Sequence, residues 1–167
     1  WLLLDLNTTS PASAFTDLLD GLPYSSPLPP MGGSDAYAIS PDGRYIAYVC
    51  KRQTGKEFAL STNSQIYLHD RESGATTELP GQPGYESLPA FSPDGSVLTY
   101  LSMPTDGFES DVNQLWALAL RSGPGAGRNA VRLLDEEYIE SYKWLNANTL
   151  LFQYATQATQ QIARVDF

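Results

Sequence analysis

The chain is poor in the residues on which most metal and nucleophile sites depend. Its 167 residues include one cysteine, Cys50, and one histidine, His69. This excludes a disulfide within the chain, and it leaves no metal-ligand spacing of the His/Cys kind, so we expect no metal site. Cys50 follows Tyr48 and Val49 in an apolar stretch, which favours a buried thiol acting as a small hydrophobic residue. A Cys50 nucleophile with His69 as its base stays open, because distance along the chain does not decide it.

Basic residues and long apolar runs are also scarce. Ten Lys and Arg stand against 19 Asp and Glu, giving a formal charge of −9. Such a balance repels phosphate backbones and anionic lipid, so we predict no nucleic-acid partner and no membrane partner. No apolar run approaches the roughly 20 residues that span a bilayer. The chain starts at Trp1 without Met or a recognisable signal peptide, which predicts that it begins inside a longer polypeptide.

A repeated turn sequence is the most informative feature that is present. Ser-Pro-Asp-Gly occurs at Ser40–Gly43 and at Ser92–Gly95, and both copies are flanked by similar apolar segments. Proline presets φ at the second turn position, aspartate bonds nearby backbone, and glycine takes the left-handed position. A fixed spacing of about 50 residues is typical of repeat architectures. Each copy therefore predicts a β-hairpin within a repeated unit.

The repeat indicates an all-β fold. Short alternating strands and turns follow each copy, a longer polar loop is expected over 51–62, and a degenerate third copy replaces the turn with Leu145–Asn148. About four strands per unit is the content of one propeller blade. We predict a segment of a β-propeller with about three four-stranded blades. The predicted units are the end of a preceding blade with a Pro-rich connector (1–33), two blades (34–85 and 86–138) and a partial blade (139–167).

Several stretches resemble the propeller of the prolyl-oligopeptidase class of serine peptidases, in the branch of dipeptidyl-peptidase V and acylaminoacyl-peptidase. In order along the chain, the stretches are Ser26–Gly33, Tyr48–Lys56, Ser61–Leu68, Phe91–Gly95, Asp106–Asp111 with Gln114–Trp116, and Thr156–Asp166. Together they cover most of 22–167. The combination in order is more specific than Ser-Pro-Asp-Gly alone, which many propellers share.

The resemblance implies a propeller that caps a C-terminal α/β-hydrolase domain of the same polypeptide. In that family the hydrolase carries a Gly-x-Ser-x-Gly motif followed by Asp and His. The motif is absent from these 167 residues, so we predict no catalytic residue here, and whether the parent protein is an enzyme stays open. The implied parent removes dipeptides or acyl-amino acids from short peptides, is secreted or periplasmic, and needs no cofactor. The implied role of this segment is to gate and position those peptides.

Four acidic residues are candidate substrate-binding residues. In exopeptidases of the wider class, a pair of propeller glutamates can bind the free α-amine, which would suit Glu136 and Glu137 because charge-assisted hydrogen bonds are strong. Glu109 and Asp111 lie in a long loop that resembles a recurrent family motif. The alternatives are a solvated acidic turn for Glu136 and Glu137, and loop-fixing bonds to backbone amides for Glu109 and Asp111. Trp116 and Trp144 are expected to pack between blades.

Two other classes of function remain open. One is a TolB-like propeller that binds a protein or ligand without catalysis, which a neighbouring hydrolase domain would argue against. The other is a structural fragment whose exposed blades pair with another chain, because uncovered sheet faces and edges favour association.

Overall fold

The computed structural model of the protein describes residues 2–4, 15–29, 32–120, 130–134 and 138–167. Within these ranges the regular elements are thirteen strands, a 3-10 helix at Ser34–Ala36 and one α-helix, α1, at Gly55–Leu60. The predicted polar loop over 51–62 was therefore wrong for six residues. Strands β1 (Leu2–Leu4) and β2 (Phe15–Asp17) form an antiparallel pair that precedes three larger sheets.

The three larger sheets follow one another along the chain, and each is antiparallel. Sheet A contains β3 (Tyr37–Ile39), β4 (Tyr45–Cys50), β5 (Gln65–Asp70) and β6 (Thr76–Glu78). Sheet B contains β7 (Glu86–Phe91), β8 (Val97–Ser102), β9 (Gln114–Ala119) and β10 (Val131–Arg132). Sheet C contains β11 (Tyr138–Asn146), β12 (Thr149–Thr156) and β13 (Thr159–Asp166). Each sheet pairs its strands in chain order, as a meander does. The boundaries of the predicted units stay predictions.

The two Ser-Pro-Asp-Gly turns form the same hydrogen-bond network. In the first, the Gly43 amide donates to the Ser40 carbonyl at 2.8 Å and the Ser40 hydroxyl donates to Asp42 at 2.5 Å. The same hydroxyl oxygen accepts the Tyr45 amide at 2.8 Å, and Asp42 accepts the Arg44 amide at 3.0 Å. Both turn glycines are left-handed, with φ of 72° at Gly43 and 70° at Gly95.

The second turn repeats these contacts with Ser92, Asp94 and Val97, at 2.7 Å for the Ser92 hydroxyl and 3.0 Å for the Val97 amide. In sheet C the turn has two residues, and Asn146 Oδ1 accepts the Asn148 amide at 2.8 Å. The two Ser-Pro-Asp-Gly turns are therefore confirmed, while the third turn is shorter than the predicted Leu145–Asn148, because Leu145 and Asn146 still belong to β11. Each side chain satisfies backbone groups that the hairpin leaves open.

The apolar core consists of layers between successive sheets. One cluster joins sheets A and B through Ala47, Val49, Ile66, Leu98 and Tyr100, and Trp116 packs against it. A second cluster joins sheets B and C through Leu101, Leu115, Ile139, Leu150 and Phe152, and Trp144 packs against it. Sheet B is thus covered on both faces, which explains why β8 and β9 carry apolar residues at successive positions. The expected packing of both tryptophans is confirmed.

Polar contacts between neighbouring sheets fix the position of each sheet relative to the next. The Ser64 hydroxyl donates to the Glu86 carbonyl at 2.9 Å and accepts the Glu86 amide at 3.0 Å, which links sheets A and B. Between sheets B and C, the Tyr142 hydroxyl donates to the Leu88 carbonyl, and the Trp144 indole donates to Thr99 Oγ1 at 3.1 Å. Leu88 lies in a bulge of β7 with φ of 52°, so its carbonyl leaves the β7–β8 ladder for the neighbouring sheet.

The meander gives the sheets two different ends. The turn end carries the tight connections 40–43, 71–74, 92–95 and 147–148. The long-loop end carries 51–64 between β4 and β5, 79–85 between β6 and β7, and 103–113 between β8 and β9. Alternating strand direction places these three long connections side by side, and they form the surroundings of the candidate site.

Candidate functional site: a cavity at the long-loop end

A cavity of about 550 Å³ opens at the long-loop end. This volume lies within the range of small-molecule and peptide pockets. Its apolar lining comes from the connector before sheet A, from β4, from α1 and from the end of β8, namely Leu28, Pro29, Ala36, Val49, Phe58, Ala59 and Met103. Such a surface can bury an apolar group of a ligand.

Several polar side chains also line the cavity. They are the carboxylates of Asp35 and Glu109, the ammonium of Lys51, and the hydroxyls of Ser61, Thr62, Tyr85 and Ser87. The Asp35 carboxylate accepts the Gly33 amide at 3.1 Å. Burial, with a smaller contribution from Asp35, raises the pKa of Tyr85, so its hydroxyl stays neutral at physiological pH. The cavity therefore offers two carboxylates and neutral hydroxyls around an apolar interior.

The Lys51 ammonium is fixed by backbone carbonyls at the edge of the cavity. Its Nζ donates to the Phe58 carbonyl at 2.6 Å and to the Ser61 carbonyl, and it lies 4.5 Å from the centre of the Phe58 ring. These contacts direct the ammonium to the C-terminal end of α1, where backbone carbonyls lack helical partners. The cavity lining therefore includes two carboxylates, Asp35 and Glu109, and one ammonium group whose donors already bind carbonyls.

Asp106 joins the two long loops beside the cavity. Its carboxylate accepts the Ser61 hydroxyl at 2.7 Å, the Thr62 amide at 2.8 Å and the Asn63 amide at 3.1 Å. The Gly107 amide donates back to the Thr62 hydroxyl at 2.9 Å. These bonds, with the Ser61 hydroxyl contributing most, lower the pKa of Asp106. From the sequence, Asp106 was noted only as part of a stretch that resembles the peptidase propellers. Its role in joining the loops was not predicted, because its partners lie more than 40 residues earlier in the chain.

Glu86 is buried directly behind the cavity wall. It lies between Tyr85 and Ser87 in sequence and has no solvent exposure. The Ile66 amide donates to its Oε2 at 2.8 Å, and the Ser102 hydroxyl lies 3.5 Å from its Oε1. Burial raises the pKa of Glu86 to about 8, although the Ile66 amide opposes this change. The carboxyl group is thus mainly neutral at pH 7. Nothing in the sequence marked this residue as buried.

The structure separates the two predicted acidic residues of the second long loop. Glu109 is exposed, lines the cavity and accepts no hydrogen bond from the part of the chain that the structure describes. Asp111 does not line the cavity; it accepts the Val112 amide at 2.8 Å, and the Thr105 hydroxyl contributes most to lowering its pKa. The loop-fixing alternative thus describes the observed contacts of Asp111, while Glu109 is placed where a ligand could reach it.

The other predicted pair, Glu136 and Glu137, lies outside the described residues. Among the residues that are described, no three His, Cys, Asp or Glu side chains lie close enough together to hold a metal ion. Cys50 is buried in sheet A beside Tyr48 and Tyr67, and burial raises its pKa. His69 shares a hydrogen bond of 3.0 Å with Thr76.

Comparison with known proteins finds sequence similarity to a group of enzymes. Dipeptidyl-peptidase 5 of Porphyromonas gingivalis is 42% identical over 108 residues, which cover 64% of this chain and 16% of the enzyme. Dipeptidyl-peptidase 5 of Porphyromonas endodontalis is 44% identical over 109 residues, which cover 65% of this chain and 16% of the enzyme. This chain is similar to a segment of dipeptidyl-peptidase 5. The resemblance predicted from the motifs is confirmed.

The similarity to dipeptidyl-peptidase 5 extends to fungi. The enzyme of Arthroderma otae is 33% identical over 143 residues, covering 79% of this chain and 19% of the enzyme. The chain therefore spans less than a fifth of the length of these three curated relatives. No protein-family model matches it.

Solved structures similar to this chain establish the fold. The AtxE2 isopeptidase aligns with a TM-score of 0.51 at 19% identity, covering 72% of this chain and 20% of the isopeptidase. A prolyl endopeptidase structure gives 0.51 at 16% identity, covering 78% and 20%. TolB of Acinetobacter baumannii gives 0.50 at 21% identity, covering 82% and 31%. The fold is all-β and forms a segment of a β-propeller, as predicted. No helix among the described residues is long and apolar enough to cross a membrane.

Proposed function

We propose that this chain is the non-catalytic propeller segment of a serine exopeptidase of the dipeptidyl-peptidase type. The identity of 42–44% to two dipeptidyl-peptidase 5 enzymes carries this proposal. In this role the segment gates and positions short peptides for an α/β-hydrolase domain of the same polypeptide. The hydrolase supplies the nucleophile, so no residue of this segment takes part in bond cleavage.

The cavity at the long-loop end supports a role in peptide binding. A short peptide with a free N-terminus presents an ammonium group next to an apolar or small side chain. The cavity combines an apolar interior with the carboxylates of Glu109 and Asp35. Glu109 is the proposed amine anchor, because its carboxylate is exposed at the cavity and keeps its acceptor sites available. Hydrogen bonds that involve charged groups stabilise binding by about 1.5–3 kcal/mol.

The remaining acidic residues have secondary roles in this proposal. Asp111 fixes the loop that carries Glu109, through its bond to the Val112 amide. Glu136 and Glu137 stay proposed as a second amine anchor, on the resemblance alone. A secreted or periplasmic location is likewise proposed from the resemblance, and cell fractionation with an antibody against this segment tests it.

The reading frame downstream of codon 167 tests the class of protein. A Gly-x-Ser-x-Gly motif followed by Asp and His is the expected result. Further blades and then a stop codon would overturn the peptidase proposal. That outcome would favour the second candidate, a TolB-like binding module, which the fold similarity to TolB also accommodates.

A kinetic experiment on the complete enzyme tests the role of Glu109. With a dipeptidyl aminocoumarin substrate, Glu109→Gln should raise KM by about 10-fold and leave kcat within about twofold, because the anchor contributes to binding. Glu57→Gln is the matched control, since Glu57 is exposed on α1 and does not line the cavity. An unchanged KM for Glu109→Gln would exclude Glu109 as the anchor.

A further inference from the structure

Helix α1 forms one wall of the cavity without support from an apolar core of its own. All six residues of α1 are exposed, yet Phe58 and Ala59 line the cavity. A helix of six residues is far too short to be stable in isolation. Its N-cap residue, Thr54, makes no side-chain capping bond. The position of this wall must therefore depend on contacts at the C-terminal end of α1.

Lys51 supplies the first of these contacts. Its ammonium group binds two carbonyls at the end of α1, those of Phe58 and Ser61, and lies over the Phe58 ring. One side chain therefore holds both the backbone and the aromatic ring of the residue that faces the cavity. Because Lys51 directly follows β4, it ties α1 to the end of an inner strand of sheet A.

Asp106 supplies the second contact, from the neighbouring loop of sheet B. Its carboxylate binds Ser61, Thr62 and Asn63, the three residues that follow α1. Lys51 and Asp106 thus hold the same short segment from two different sheets. Glu109, which also lines the cavity, lies on the same loop as Asp106.

We propose that Lys51 and Asp106 are specificity-determining positioning residues, which hold α1 so that Phe58 limits the size of the side chain that the cavity accepts. Neither residue needs to touch the ligand for this role. The ligand is a short peptide with a free amine, and this part of the inference rests on the proposed function. The position of α1 itself does not depend on any ligand.

Hydrogen exchange in the 167-residue chain tests the contacts without a ligand. The amides of Ser61, Thr62 and Asn63 donate to Glu57 and Asp106 and should be protected. Lys51→Met should accelerate exchange at Ser61, and Asp106→Ala should accelerate it at Thr62 and Asn63, each by about 10-fold. Lys51→Arg should retain protection, because a guanidinium can bind both carbonyls.

The controls are a Lys→Met and an Asp→Ala change at exposed residues whose side chains do not bond the segment that follows α1. Lys56→Met alters α1 itself, and Asp20→Ala alters an exposed loop far from α1 in sequence. Both should match the native chain. Equal exchange in Lys51→Met, Asp106→Ala and the controls would overturn the inference.

Peptide selectivity tests the consequence for the cavity. Calorimetry on the complete enzyme, with its nucleophilic serine replaced by alanine to prevent cleavage, compares naphthylalanyl-alanine amide with alanyl-alanine amide. In Lys51→Met the ratio of affinities should shift by at least about fivefold toward the bulky peptide, since Phe58 is released. A loss of affinity that is equal for both peptides would show a merely structural role and overturn the inference. If neither peptide binds this enzyme with Lys51 in place, the proposed function fails and the selectivity claim fails with it, while the exchange rates still decide whether Lys51 and Asp106 hold α1.

Discussion

The turn end and the long-loop end of the sheets use similar residues for different purposes. At the turn end, Ser40, Asp42, Ser92 and Asp94 bond groups within five residues of themselves, so each hairpin satisfies its own backbone. At the long-loop end, Asp106 bonds groups of a different loop, up to 45 residues away, while Lys51 bonds carbonyls seven and ten residues further along its own loop. The first arrangement satisfies the backbone within each hairpin. The second joins blades and leaves a cavity between them.

The two ends also differ in the ionisation of a buried acid. Arg44 holds the pKa of Asp70 at about 2 near the turn end, so that carboxylate stabilises the fold whenever it is ionised. Glu86, behind the cavity, has its pKa raised to about 8 because it is buried. The stabilities of the two regions should therefore respond to pH in opposite directions.

The largest expected effect is the pH dependence caused by Glu86. The native pKa is raised above the unfolded value of 4.5, so its stabilising contribution is complete below pH 4.5 and is lost as pH rises to about 8. We expect the free energy of unfolding to fall by roughly 2–4 kcal/mol across that interval. Urea unfolding at pH 5 and pH 8 measures it.

Glu86→Gln is the control for this prediction, because glutamine keeps the shape of the side chain and does not titrate. The difference between native and variant slopes isolates Glu86 from His69, whose lowered pKa gives a slope of the opposite sign. Identical slopes in the two proteins would show that Glu86 ionises in the folded chain much as it does in water.

The turn serines should have the next largest effect. Ser40→Ala or Ser92→Ala removes a hydroxyl that accepts one amide and donates to aspartate, and each should lower the free energy of unfolding by about 1–2 kcal/mol. Ser110→Ala in the exposed long loop should change it by less than about 0.5 kcal/mol. Chemical denaturation measures these changes. If Ser110→Ala and Ser92→Ala lowered the free energy of unfolding by similar amounts, the turn serines would not be more important for stability than a serine of the long loop.

A substitution in sheet C, at the long-loop end, is expected to raise stability. There the connection between β12 and β13 is a two-residue turn whose residues, Gln157 and Ala158, have φ of 47° and 59°. Asn-Gly tolerates this geometry far better, so the double change should raise the free energy of unfolding by about 1 kcal/mol. Ala147→Gly in the β11–β12 turn, which has no positive φ, should give no gain. A thermal melt that ranks the two variants the other way would contradict the strain argument.

The smallest effect on stability is expected at Glu109. Because its carboxylate is exposed and unbonded within the described chain, Glu109→Gln should change the free energy of unfolding by less than about 0.5 kcal/mol. A larger loss would mean that Glu109 supports the loop, and a fall in peptide affinity could then not be assigned to the lost anchor. Denaturation of the same preparation used for kinetics provides the measurement.

The sequence predicted what depends on nearby residues. The Ser-Pro-Asp-Gly hairpins, the meander of short strands and the packing of Trp116 and Trp144 followed from local turn chemistry and alternation. Helix α1 was missed because Lys56, Glu57 and Phe58 show no helical periodicity, and the contacts that hold α1 come from Lys51 and Asp106. The cavity was likewise not predictable, since its walls come from segments that are distant in the chain.

The candidate site was predictable only in part. Glu109 was selected from a resembling loop, and the structure places it at the cavity. Asp111, two residues further on, belongs to the same motif but bonds its own loop. The burial of Glu86 could not be foreseen, because the amide that binds it belongs to Ile66 in another sheet.

The placement of the tryptophans has a consequence for spectroscopy. Trp116 packs between sheets A and B, whereas the Trp144 indole bonds to Thr99 between sheets B and C. Each junction therefore carries its own fluorophore. Variants that retain one of these two indoles, with Trp1 also replaced, would emit from a single junction. Their emission during unfolding would show whether both junctions are lost in one step or whether sheet C dissociates from sheet B first.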